Sequence, residues 1–148
     1  MSEWVLLLGG STGHGAATAK RLAQDGFGII AFHFDRGDAK KIAEETIAEV
    51  NDITKGNCHY FNTNAASEES MDKYIPKINE ITNGKPLKLL LHSIAFGTTT
   101  NFFGEKPVTQ RQMDMTVHVM GNSLLYWTQK LHQAKLLSRG SRIIGLTS

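Results

Sequence analysis

The residues best suited to chemistry in this chain are three glycines, Gly9, Gly13 and Gly15, with Ser11, Thr12 and His14 set among them. They follow an apolar run, Trp4 to Leu8, and lead at once into Ala16, Ala17, Ala19, Leu22 and Ala23 at helical spacing. Glycine lets a backbone turn tightly and lets a bulky anion approach, while N–H groups at a helix start attract negative charge. Strand, glycine turn and helix in that order predict a cradle for the pyrophosphate of a dinucleotide. Glycines alone also build ordinary strand-to-helix loops, so the flanking elements carry the inference.

Other reactive residue types are less promising. None of the six histidines pairs with a second histidine or cysteine three or four residues away on a predicted helix, and no carboxylate cluster completes a site, so no metal is expected. The single cysteine, Cys58, lies in a short apolar strand pattern and is expected to be buried and inert. It also excludes an internal disulfide, which fits a reducing compartment.

A chain of 148 residues fits one domain and can bury a core. With 41% hydrophobic and 20% charged residues it falls outside disordered and fibrous classes. A net charge of +2 gives no reason to expect nucleic-acid or membrane binding. No segment reaches the roughly 18 consecutive apolar residues of a membrane-spanning helix. Met1-Ser2-Glu3 leads straight into a strand without a signal-peptide pattern, so a cytoplasmic location is expected.

The elements that must position the glycine turn alternate regularly. Its helix is predicted to about Asp25, stopping at Gly26, and Ile29 to Phe34 is a second buried strand ending at Asp35-Arg36-Gly37. Asp38 is the expected N-cap of a helix carrying Ala39, Ile42, Ala43, Ile47 and Val50. Cys58 to Asn62 reads as a third strand. Ser67 caps a third helix, which Pro76 should kink or split. Leu87 to Leu91 is the fourth strand, ending at His92-Ser93. One long helix follows from about Thr109 to Leu137, with Met113, Val117, Met120, Leu124, Trp127 and Leu131 on a shared apolar stripe. Arg142 to Leu146 is the fifth strand. Such alternation predicts an α/β fold with a doubly wound parallel sheet of Rossmann type, strand order 3-2-1-4-5, truncated after the fifth strand. Ligand then belongs at the carboxyl ends of strands one and four, where Gly9 to Gly15 face His92 to Gly97.

The glycine spacing, three residues and then one, resembles the short-chain dehydrogenase/reductase family. That resemblance implies NAD or NADP as cofactor, chosen by side chains at the end of the second strand, here Asp35 and Arg36. A carboxylate accepts hydrogen bonds from ribose hydroxyls and disfavours a 2′-phosphate, whereas arginine binds that phosphate. The two neighbours pull in opposite directions, so the choice stays open, and a plain surface turn is the alternative. The position that meets the adenine corresponds to Asn64, followed by Ala65.

After the fourth strand, Leu91-His92-Ser93-Ile94-Ala95-Phe96-Gly97 resembles the divergent enoyl-acyl-carrier-protein reductase branch of that family. The resemblance implies that the backbone of His92, Ser93, Ile94 and Ala95 flanks the ribose and nicotinamide. For the His92 side chain, a structural role at a strand end is preferred to a catalytic one. Met120 stands where the family has a structural asparagine, with Asn122 two residues on. Ser148 matches the catalytic serine that binds the substrate carbonyl, although enoyl reductases commonly carry a tyrosine there. The family's tyrosine and lysine belong on a helix after Ser148. Tyr126 and Lys130 have the right spacing but precede the fifth strand, so they are expected on the surface or in a subunit contact.

The expected activity of the intact protein is hydride transfer between nicotinamide and a carbonyl or enoyl substrate, including an acyl thioester of fatty-acid synthesis. The alternative is a nucleotide-binding module or catalytically inactive fragment. The 148 residues are expected to cover the N-terminal part only and to bind cofactor without turnover. Expected partners are a small-molecule or acyl-thioester substrate and further copies of the chain, since the fifth strand leaves an uncovered sheet edge.

Overall fold

The computed structural model describes residues 2–147. Five parallel strands pair in the order β3-β2-β1-β4-β5. In chain order, the first half comprises β1 (Trp4–Leu8), α1 (Gly13–Gln24), β2 (Gly28–His33), α2 (Asp38–Thr54) and β3 (Cys58–Asn62). The second comprises α3 (Glu68–Ile81), β4 (Leu89–His92), α4 (Gln110–Val117), a π turn (His118–Asn122), α5 (Ser123–Gln133) and β5 (Arg142–Gly145). The chain runs outward from β1 to β3 and then back across to β4 and β5, which is the expected order.

Alternation along the central strands divides the interior into two layers. Leu6, Leu8, Ile30, Phe32 and Leu90 face one side, packing with Met71, Ile78, Trp127, Leu131 and Leu136. Val5, Leu7, Ile29, Ala31 and Leu91 face the other, against Ala19, Ala23 and Val50. Phe32 anchors the first layer, its ring 5.1 Å from that of Trp127 and edge-on to Tyr74 at 5.2 Å. Every residue of β2 is buried, which explains the apolar run Ile29 to Phe32 within it. Both ends of the sheet are less covered, and all four residues of β5 are exposed.

Several local expectations need correction. Asp38 is the first helical residue of α2 rather than its cap; Gly37 precedes it, and no side chain caps the helix. Asp38 instead places its charge in the first turn, where the helix dipole favours it. Ser67 does cap α3, accepting from Ser70 N at 3.1 Å, but Pro76 does not split the helix. Pro76 and Asp72, whose carbonyl loses its donor, are both exposed, so water can satisfy that carbonyl. The second strand stops at His33, and Phe34 is 50% exposed. The fourth begins at Leu89, because Leu87 N bonds instead to Leu136 O beyond α5.

The long helix differs most from expectation. It contains a π turn and ends at Gln133, with Lys135 in the left-handed region at φ 60°. Trp127 and Leu131 are fully buried, but Met113, Val117 and Met120 are exposed. A stripe counted at about 100° per residue assumes an uninterrupted α-helix, and the wider turn at 118–122 breaks that count.

Candidate cofactor crevice

The winding reverses between β1 and β4, and the glycine turn closes over that junction. Gly9 N and Gly10 N both donate to Phe32 O, at 2.9 and 3.0 Å, while Ser93 N donates to Leu8 O at 2.7 Å. Gly9 has φ 93°, and a β-carbon there would run into the Ser93 carbonyl. A β-carbon on Gly15 would run into the carbonyl of Gly9. These two glycines therefore bring β1, α1 and the end of β4 into backbone contact. Nothing lies within 4 Å of where a Gly13 β-carbon would stand, so the start of α1 opens outward.

That helix start suits an anion. Thr12 occupies the cap with extended backbone and makes no side-chain cap hydrogen bond. Thr12, Gly13 and His14 are exposed, and Ala16 N is the amide that closes onto Thr12 O, at 3.1 Å. The N–H groups ahead of it carry the positive end of the helix dipole toward the opening.

Ser11, only 4% exposed, ties the turn to the end of β2. Its hydroxyl donates to Asp35 Oδ2 at 2.6 Å, and His33 Nδ1 donates to the same oxygen at 2.8 Å. Asn62 Nδ2 holds the Asp35 backbone carbonyl at 3.2 Å. Arg36 lies outside this cluster, its guanidinium 4.6 Å from the centre of the Phe34 ring. Asp35 thus joins the glycine turn, and Arg36 does not.

The loop after β3 is fastened from beneath. Trp127 Nε1 donates to Ala65 O at 2.7 Å, and His118 Nε2 donates to Ala66 O at 2.9 Å. Asn64 accepts from Ala66 N at 3.0 Å through Oδ1, which fixes its exposed side chain at the loop.

Across the turn, His92 is 1% exposed and points into the layer beneath α5. Ser123 donates its hydroxyl to Val119 O at 2.8 Å, and His92 Nε2 donates to Ser123 Oγ at 2.7 Å. Burial holds the His92 pKa below its ordinary value and keeps the ring neutral. Its ring therefore faces the core, while Ser93 and Ile94 are half-buried and Ala95 is exposed. Gly97 lies against Thr116, whose hydroxyl accepts from Thr98 N at 3.0 Å. Ser148 lies outside the described residues.

Tyr126 and Lys130 are not part of this arrangement. Lys130 Nζ pairs with Asp72 of α3 at 2.5 Å, and the Tyr126 ring lies 6.0 Å from that of His118. Cys58 is half-buried, and burial raises its thiol pKa, which disfavours the nucleophilic form. A groove of about 340 Å³ opens at the other end of the sheet, among Trp4, Lys85, Lys88 and Arg139, remote from the glycine turn. Among the described residues, no group of three or more His, Cys, Asp or Glu could hold a metal. No motif marks His33, Ser123 or His118 in the sequence; a lone histidine at the end of the apolar β2 run is the one signal it carries.

Parallel sheet, glycine turn at the reversal and an uncapped helix start together define a dinucleotide-binding fold. A family model for short chain dehydrogenase matches residues 3–148, and the chain belongs to that family. No curated protein matches the chain by sequence. A solved short-chain dehydrogenase/reductase from Serratia marcescens is similar at 23% identity and a TM-score of 0.78, covering 99% of this chain and 55% of that one. A 3-oxoacyl-[acyl-carrier protein] reductase from Brucella melitensis is similar at 18% identity and a TM-score of 0.73, covering 90% and 50%. At such identities these structures establish the fold. The chain spans about 55% of the length of the first of them. Among the described residues, no helix is long and apolar enough to cross a membrane.

Proposed function

We propose that this chain is the cofactor-holding part of an NAD(P)-dependent oxidoreductase that moves a hydride between nicotinamide and a carbonyl or enoyl substrate. The observation that carries it is the open, uncapped start of α1 joined through Ser11 to the carboxylate of Asp35. The cofactor supplies the hydride. The exposed N–H groups of Thr12, Gly13 and His14 would receive its pyrophosphate, helped by the closeness that Gly9 and Gly15 permit. Asp35 would accept from the adenosine ribose, Asn64 and Ala65 would meet the adenine, and the backbone from His92 to Ala95 would border the nicotinamide side. Arg36, exposed and outside the Asp35 cluster, is the residue available to a 2′-phosphate.

The narrower substrate proposal is an enoyl thioester, supported by the string from His92 to Phe96. Ser148 as a residue binding the substrate carbonyl supports the carbonyl version instead. Exposed Met115, Val117, Met120 and Leu125 support self-association, which sedimentation equilibrium would measure. A second reading is nucleotide binding without chemistry. It is supported by the position of Tyr126 and Lys130, whose spacing suits proton transfer but which lie on α5, with Lys130 paired to Asp72 of α3 and the Tyr126 ring near His118.

Titration with NADH and NADPH, followed by nicotinamide fluorescence, tests the binding half. Cofactor oxidation by the full-length protein with crotonyl thioesters and with ketones tests the chemistry. Turnover of ketones alone removes the enoyl reading, and turnover by the 148-residue chain removes the binding-only reading.

A further inference from the structure

Asp35 has an unusual setting for a residue at the mouth of a crevice. Its side chain is 14% exposed, and two donors converge on one oxygen, Oδ2. Oδ1 has no hydrogen-bond partner among the described residues. The donors themselves cannot swing away easily. Ser11 is 4% exposed and fixed in the glycine turn. The His33 side chain is 7% exposed, its ring 6.2 Å from that of Tyr60. Tyr60 in turn donates to Gly10 O at 3.4 Å, and Thr63 N donates to His33 O at 2.8 Å. Strands β2 and β3 and the glycine turn therefore share one hydrogen-bonded cluster around this carboxylate.

We propose that His33 is a positioning residue that, with Ser11, pins Asp35 so that the crevice favours NADH over NADPH. This rests on the reading that the crevice holds a nicotinamide dinucleotide. Fixing Oδ2 leaves Oδ1 as an acceptor of set direction, which suits a ribose hydroxyl and requires no reorientation on binding. A carboxylate held there also repels a 2′-phosphate. Arg36 does not neutralise it, because its guanidinium lies over Phe34. Without His33, the carboxylate would turn toward water and lose both its direction and its closeness.

The test is fluorescence titration with NADH and NADPH of the protein and its His33→Leu, His33→Asn and Ser11→Ala variants, with melting curves for each. The parent is expected to bind NADH at least about tenfold more tightly than NADPH. His33→Leu should weaken NADH by about tenfold while changing NADPH by less than about twofold, so the preference collapses. His33→Asn places an amide N–H near the position of the Nδ1–H and should recover NADH to within about threefold. Ser11→Ala should narrow the preference in the same direction, and it carries the test if His33→Leu does not fold. An unchanged preference in a folded His33→Leu, or an Asn variant no better than Leu, overturns the role of His33. A parent that prefers NADPH overturns the proposal but leaves the cofactor reading intact. A parent that binds neither overturns both.

Discussion

The carbonyl of Ser93, at the end of β4, stands where a β-carbon on Gly9 would have to go. Two strands that are neighbours in the sheet thus meet at their ends through bare backbone. The glycine turn is held at that contact.

Gly9→Ala should therefore fail twice over, through the contact with Ser93 and through φ 93°. Together these should cost at least about 2 kcal/mol of stability and abolish dinucleotide binding. Urea denaturation and NADH titration check both halves. An alanine variant as stable and as tightly binding as the parent would refute the account.

Trp127→Phe keeps a ring in the core but removes the N–H that Ala65 O accepts. The expected loss is about 1–3 kcal/mol, the range for a buried acceptor left without its donor. Trp127→Ala should cost about 3–5 kcal/mol. Chemical denaturation gives both values, and a Trp127→Phe variant as stable as the parent would mean that the hydrogen bond contributes nothing.

Acid should destabilise the fold through its histidines. His92 and His59 both have pKa values lowered below 6.5, chiefly by burial. The unfolded chain then binds protons more readily than the folded one, so their contribution is intact above pH 6.5 and falls as the pH drops through that value. His92→Asn should flatten the decline between about pH 6.5 and 5. A stability curve that is level across that window would contradict the buried, neutral ring.

Tyr126→Phe combined with Lys130→Ala should leave NADH affinity unchanged, since Lys130 pairs with Asp72 on the outer side of α3 and α5. Weakening of NADH beyond about threefold would show that the two reach the crevice after all.

What the sequence disclosed depended on range. Buried strands announce themselves locally, because β2 must be apolar on both faces, and once the elements alternate, handedness leaves few sheet orders. The glycine turn was legible for the same reason: its spacing is contiguous. Asp35 was legible as a candidate, but its bonds to Ser11, 24 residues away, and to His33 were not, since they exist only once β1 and β2 are side by side. Cys58 and Asp38 show smaller versions of this limit. A strand pattern does not say that its strand is half-covered, and a cap-forming residue type does not say that the preceding glycine has taken the cap.

The π turn at His118–Asn122 has a consequence for how this helix can change. One additional residue in a turn lengthens a helix very little, but it rotates everything before it relative to everything after. Trp127 and Leu131 stay locked in the interior while Met113 and Val117 look outward, as if on a dial turned by one notch. Removing a single residue from that turn would restore continuous α-helix and swing α4 by about 100°, carrying its methionines to a different bearing. In this segment, therefore, a change of length acts as a change of phase.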